Sequence, residues 1–160
     1  MSSQIRAMNV HAPAGATEGY STTPRAAEFL RRLFRHLDDS GTRYCVLHSW
    51  RNLPDELRSD LDIAVHPADR ASLAVAFRRL SDDGFRPIQL INHNVNGNYF
   101  VFCWAFGNTL QTAAVDLIFE HRRRGLIAAR GTEVTATRER CGEFWVASPS
   151  SEFAYLLLKK

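Results

Sequence analysis

A chain of 160 residues that is 45% hydrophobic and 23% charged has the size and balance of one folded domain, which excludes a fibre or a wholly disordered tail. Its formal charge of +3 comes from basic residues spread along the chain, so a nucleic-acid partner is permitted but not implied. Cys45, Cys103 and Cys141 are an odd number without CxxC spacing, and no apolar run reaches signal-peptide or membrane-spanning length. A cytoplasmic protein without membrane attachment is expected.

Residues 1 to 23 are rich in Ser, Thr, Gly, Ala and Pro without apolar period, which predicts a flexible lead-in to a domain over residues 24 to 160. Thr23-Pro24 reads as an N-cap and first-turn proline. Ala26, Leu30, Leu33 and Leu37 then repeat at helical spacing as far as Gly41. Tyr44 to Leu47 is a short apolar strand, and Asp60 to Val65 alternates acidic and aliphatic residues as a second strand does, with a polar loop between them. Leu73, Ala76, Phe77 and Leu80 mark a helix over 68 to 82, stopped by Gly84.

Three β-rich segments follow, Phe85 to Ile91, Tyr99 to Phe106 and Thr112 to Phe119, the first two joined by a turn-prone Asn-rich run from Asn92 to Asn98. His93 in that run reads as turn chemistry. Phe100, Phe102, Trp104 and Phe106 alternate along one strand and read as core packing rather than a base-stacking face. The basic run His121 to Arg124 reads as a solvated strand exit. Signals weaken from Gly125 to Ala147, and Ser148-Pro149 opens a last helix through Glu152, Phe153, Leu156 and Leu157. An apolar helix still running at Lys160 raises the expectation that the chain is the front of a longer protein. The sum is an α/β (α+β) domain, a mixed sheet flanked by helices.

The chemistry-bearing segment is Ser59-Asp60-Leu61-Asp62-Ile63-Ala64-Val65. Carboxylates at i and i+2 leave a strand on one face, while Leu61, Ile63 and Val65 take the other. Like charges held a few ångströms apart and partly desolvated oblige each other to bind a cation or take a proton. Oxygen ligands favour Mg2+ or Mn2+. Asp116 lies in the apolar run Ala113 to Phe119, where an unpaired carboxylate is costly, so it too needs a partner or a metal. Should its strand neighbour that of Asp62, the three acids would form a site for one or two ions in phosphoryl transfer. His48 and Ser49 close the first strand, and Ser49 with nearby backbone amides is a candidate phosphate contact. Arg51 and Arg58 flank the same loop as further candidates.

An apolar strand ending in His48-Ser49, ten intervening residues, Asp60-x-Asp62, then a lone Asp116 on a later strand resembles the nucleotidyltransferase superfamily, the fold of polymerase beta and the minimal nucleotidyltransferases. The resemblance covers roughly residues 25 to 120. Within that superfamily the chain is similar to nucleotidyltransferase-like domains found ahead of thymidylate-kinase-like regions in bacterial polysaccharide loci. The resemblance implies metal-dependent transfer of a nucleoside monophosphate from a nucleoside triphosphate to an acceptor hydroxyl of unknown identity, and a downstream kinase-like domain as partner. It also implies Asp60 and Asp62 as metal ligands, with Asp116 completing the site or acting as base. The chain departs from the family at His48, which stands where glycine normally lets the backbone approach the triphosphate. That departure keeps open a catalytically inactive fold serving as a binding or regulatory module. A nucleotide-sugar glycosyltransferase also uses Asp-x-Asp, but normally after several strand and helix units, whereas one strand precedes Asp60 here.

Overall fold

The structure is a computed structural model that describes residues 23–93, 96–123 and 126–159. The predicted flexible lead-in lies, but for Thr23, outside the described residues, as do Asn94 and Val95 of the Asn-rich run. Helix α1 spans Pro24–Asp39, with Thr23 Oγ1 accepting from the Ala26 amide and Pro24 in the first turn, as its start signals predict. Gly41, at φ +72°, follows its C-cap, the left-handed position that glycine fills without strain. One face of α1 buries Phe29, Leu30, Leu33, Phe34 and Leu37 completely.

Strand β1 is Tyr44–Val46 and β2 is Leu61–Val65. A short 3-10 turn, Pro67–Asp69, leads into α2, Arg70–Asp82, which packs beside α1. Next come β3 (Arg86–Asn92), β4 (Gly97–Phe106) and β5 (Thr109–Ile118), an antiparallel meander. After β5 come the hairpin β6 (Glu120–Arg123) and β7 (Leu126–Arg130) and then, within the stretch from 125 to 147 where sequence signals are weak, helix α3 (Gly131–Ala136) and the short strands β8 (Glu139–Cys141) and β9 (Phe144–Val146). Helix α4 spans Pro149–Lys159.

Seven strands form one mixed sheet in the order β3-β4-β5-β2-β1-β9-β8, and β6 and β7 form a separate two-stranded ribbon. The α/β class expected from sequence is the one found. Two clusters divide the interior. The larger joins α1 and α2 to Ile63, Val65, Phe102, Trp104, Val115 and Leu117. The smaller, on residues of opposite strand parity, gathers Cys45, Leu47, Ala64 and Ala147 with Tyr155 of α4. Burial pushes the Cys45 thiol up to about 12, so it behaves as a small apolar filler.

The β4 aromatics pack the core as their alternation predicts, with Phe102 and Trp104 buried against Phe29; Phe106, at 43% exposed, lies beyond it. The last helix differs from its apolar pattern. Phe153, Leu156 and Leu157 face outward, while Tyr155 turns in. No helix among the described residues is long and apolar enough to cross a membrane.

The entry to α2 is tied to β1 by Asp69, whose carboxylate accepts from the Arg43 amide, Nε and guanidinium at 2.8–2.9 Å. These bonds hold the Asp69 carboxyl at about 2, below its usual range. A depressed carboxylate stabilises the fold above its unfolded value, and that support is lost as pH falls through the folded value. Wild-type stability measured by urea unfolding is therefore expected to fall between about pH 4 and pH 2 more steeply than that of Asp69→Asn. Parallel profiles would remove Asp69 from the acid transition.

Candidate functional site

Strand periodicity builds the site. In β2, Leu61, Ile63 and Val65 enter the larger core, leaving Asp62 and Ala64 on the face covered by α4. In β5, Val115 and Leu117 do the same, leaving Asp116 and Ile118 on that second face. β2 and β5 are parallel neighbours, and their register sets Asp62 directly beside Asp116. Asp60 precedes β2 and is exposed at the mouth of this strand pair. The neighbouring-strand condition on which the carboxylate cluster depended is thus met.

β4 contributes a residue that the sequence pattern did not single out. Tyr99 lies opposite Asp116 in the β4–β5 register and donates its hydroxyl to Asp60 Oδ2 at 3.2 Å. Partial burial and the Asp60 charge raise the Tyr99 hydroxyl above its ordinary range, so it remains a proton donor. Asp116 has no hydrogen bond or ion pair among the described residues. Its desolvation, and then the charge of Asp62, raise its carboxyl above the usual range, while His93 and Lys159 oppose the shift.

Asp62 is 3% exposed, and one of its oxygens is crowded with donors. Oδ2 accepts from Lys159 Nζ at 2.5 Å, from Tyr155 Oη at 3.1 Å, and from His48 Nε2 at 2.5 Å. An imidazole nitrogen this close to a carboxylate oxygen must share a proton with it, which assigns the Nε2–H form. Nδ1 is then free to accept from the Ser49 hydroxyl at 2.7 Å. Tyr155 stacks on the His48 ring at 5.6 Å between centroids, with His121 edge-on to Tyr155 from the β6 side. Burial and the Asp62 charge keep the Tyr155 hydroxyl protonated well above its ordinary range.

Ser49 is the one non-glycine residue with positive φ among those described, at +58°. A serine held in the left-handed region is strained by roughly 1–3 kcal/mol and persists only where neighbours enforce it. Here the β1 exit, where Leu47 N bonds Asp62 O, and the following turns at Trp50 to Glu56 force the sharp bend that leaves Ser49 exposed. His48 is half-buried, in keeping with a strand-end histidine, but it points at the acid pair rather than into solvent.

Of the seven residues singled out from sequence, the structure brings together Asp60, Asp62, Asp116, His48 and Ser49. Arg51 and Arg58 stand apart: the Arg51 guanidinium lies over the Trp50 ring and Arg58 pairs with Glu56. Neither touches the three acids. Tyr99, Tyr155 and Lys159 complete the cluster. Tyr99 and Tyr155 carry no local signal because each is a plain aromatic in an apolar segment, and Lys159 reads as a helix-end lysine.

The donor set suits a hard cation, since three carboxylates and three phenolic or alcoholic oxygens lie at the same end of the sheet, and Asp116 lacks a neutralising partner. As arranged, no three His, Cys, Asp or Glu residues among those described converge closely enough to chelate an ion. The cation that Asp62 holds is instead the Lys159 ammonium. Protein-family models and curated proteins contain no match to this chain.

Proposed function

We propose that this domain is nucleotidyltransferase-like, binding a nucleoside triphosphate with Mg2+ or Mn2+ and moving its nucleoside monophosphate to an acceptor hydroxyl. The observation that carries the reading is the parallel β2–β5 register, which sets Asp62 beside Asp116 from positions 54 residues apart. Two acids meet by register on adjacent strands with a third at the strand mouth, and Asp116 among them has no hydrogen-bond or ion-pair partner among the described residues. They have an evident use as oxygen ligands.

In this reading Asp60 and Asp62 hold the metal, which would neutralise phosphate charge and orient the leaving group. Asp116, with its raised carboxyl, accepts the proton of the attacking acceptor hydroxyl or completes the ligand set. Ser49 on its exposed bend donates its hydroxyl to phosphate by turning it away from His48 Nδ1. The setting is cytoplasmic, in keeping with three unbridged cysteines, and the partner is a kinase-like domain. The acceptor is set by loops and by partners rather than by the sheet.

The test is magnesium-dependent release of pyrophosphate from nucleoside triphosphates, with candidate hydroxyl acceptors supplied. Wild type is expected to turn over, and Asp116→Asn to lose about 100-fold or more in rate, the usual scale for removing a general base. Equal rates in both proteins would remove Asp116 from the chemistry. A second reading, a nucleotide-binding module without turnover, is favoured by the three donors already on Asp62 Oδ2. It predicts magnesium-dependent nucleotide binding with no pyrophosphate from any acceptor.

A further inference from the structure

We propose that Lys159 is a built-in competitor for the divalent cation: the last turn of α4 latches the carboxylate cluster, and a metal ion enters only when the Lys159 ammonium leaves Asp62. The inference rests on the metal-site reading above and adds its regulation.

Three observations lead to it. The Lys159 ammonium sits 2.5 Å from Asp62 Oδ2 and 3.1 Å from His48 Nε2, so it occupies the space on that oxygen where a metal would bind. Two cations cannot share one carboxylate oxygen without strong mutual repulsion at such range. Coordination of a metal through Asp62 Oδ2 is therefore opposed while the contact stands.

The burial of the two partners is unequal. Asp62 is 3% exposed by side chain and fixed in the sheet, whereas Lys159 is 49% exposed at the final turn of a helix. The ammonium can swing out by rotating its own flexible stem, without unfolding α4 or moving the sheet. Tyr155 is different, being buried one turn earlier and stacked on His48. It anchors the helix while Lys159 supplies the movable charge.

The test uses Mn2+ alone, titrated into the full chain and followed by calorimetry and by the loss of the free-ion paramagnetic signal. Lys159→Met is expected to bind Mn2+ about tenfold more tightly than wild type, a modest change for a partly solvated charge. Lys159→Arg is expected to stay within about twofold of wild type, because it retains the cation. Arg79→Met removes the same charge from an exposed position on α2 and is expected to change nothing, which separates the local latch from net charge. Asp62→Asn is expected to abolish binding in the Lys159→Met background.

Equal or weaker Mn2+ binding by Lys159→Met, with binding still lost in Asp62→Asn, overturns the latch and leaves the metal site standing. Binding by none of the proteins, with native circular dichroism in each, overturns both.

Discussion

Gly131→Ala is expected to destabilise the domain by roughly 3 kcal/mol, the upper end of the range for forcing a group into a filled core. Gly131 opens α3 where the end of β2 meets the end of β5, and its amide donates to Phe119 O at 2.7 Å. A methyl there would stand 2.3 Å from Val65 O and 2.8 Å from Phe119 O. Both obstacles are backbone carbonyls, which cannot rotate aside as a side chain can. The helix must lift or the strands must part, and the strands that part are those carrying Asp62 and Asp116. Urea unfolding should show a lower midpoint at unchanged slope. A loss under about 0.5 kcal/mol, the usual surface value, would mean that this three-way contact is looser than described.

Phe29→Ala is expected to be the most destabilising substitution, at about 3–5 kcal/mol, the range for truncating a buried aromatic. Phe29 is fully buried, and its ring lies 5.2–5.5 Å from Phe85, Phe102 and Trp104, so one side chain joins α1 to β4 and to the segment entering β3. Aromatic pairs in such geometries contribute beyond their buried area. Trp104 reports locally, and its fluorescence should shift to the red as the cavity admits water. Phe106→Ala on the same strand is the internal comparison: at 43% exposed it should change stability by about 0.5 kcal/mol or less. Similar losses at the two positions would contradict the assignment of the core face.

Much of this was legible because it is local. The i, i+2 alternation in Asp60 to Val65 fixes which residues face which layer, and α1 declares its start, face and stop through Thr23, its leucines and Gly41. Other features depend on which segments meet. No property of residues 109–118 says that β5 will lie parallel to β2 rather than beside another strand; the sequence poses that pairing only as a condition. β8 and β9 are three residues each, too short to display a period, and β9 joins the sheet through the single register pair Val46 and Val146.

The site was legible to the same extent. Its acids are conspicuous because carboxylates are out of place in apolar strands. Its neutral and cationic partners are not, because Tyr99, Tyr155 and Lys159 each suit their own segment without any function. The inward turn of Tyr155 ran against the apolar pattern of α4, since reach to the Asp62 carboxylate offers its hydroxyl a buried partner that the leucines cannot use. His48 presents a related case. The imidazole in place of glycine reads as a block to phosphate, yet its ring is turned toward Asp62 and braced there by Tyr155.

Asp60, Asp62 and Asp116 are proposed to act together as one metal–nucleotide site. That joint action is tested most directly by calorimetric titration of a nucleoside triphosphate, with and without Mg2+, into wild type and into Asp60→Ala combined with Asp62→Ala. Wild type is expected to bind in a magnesium-dependent manner and the double variant not at all, with both proteins folded by circular dichroism. Binding that survives in the double variant, or that needs no magnesium, would contradict it.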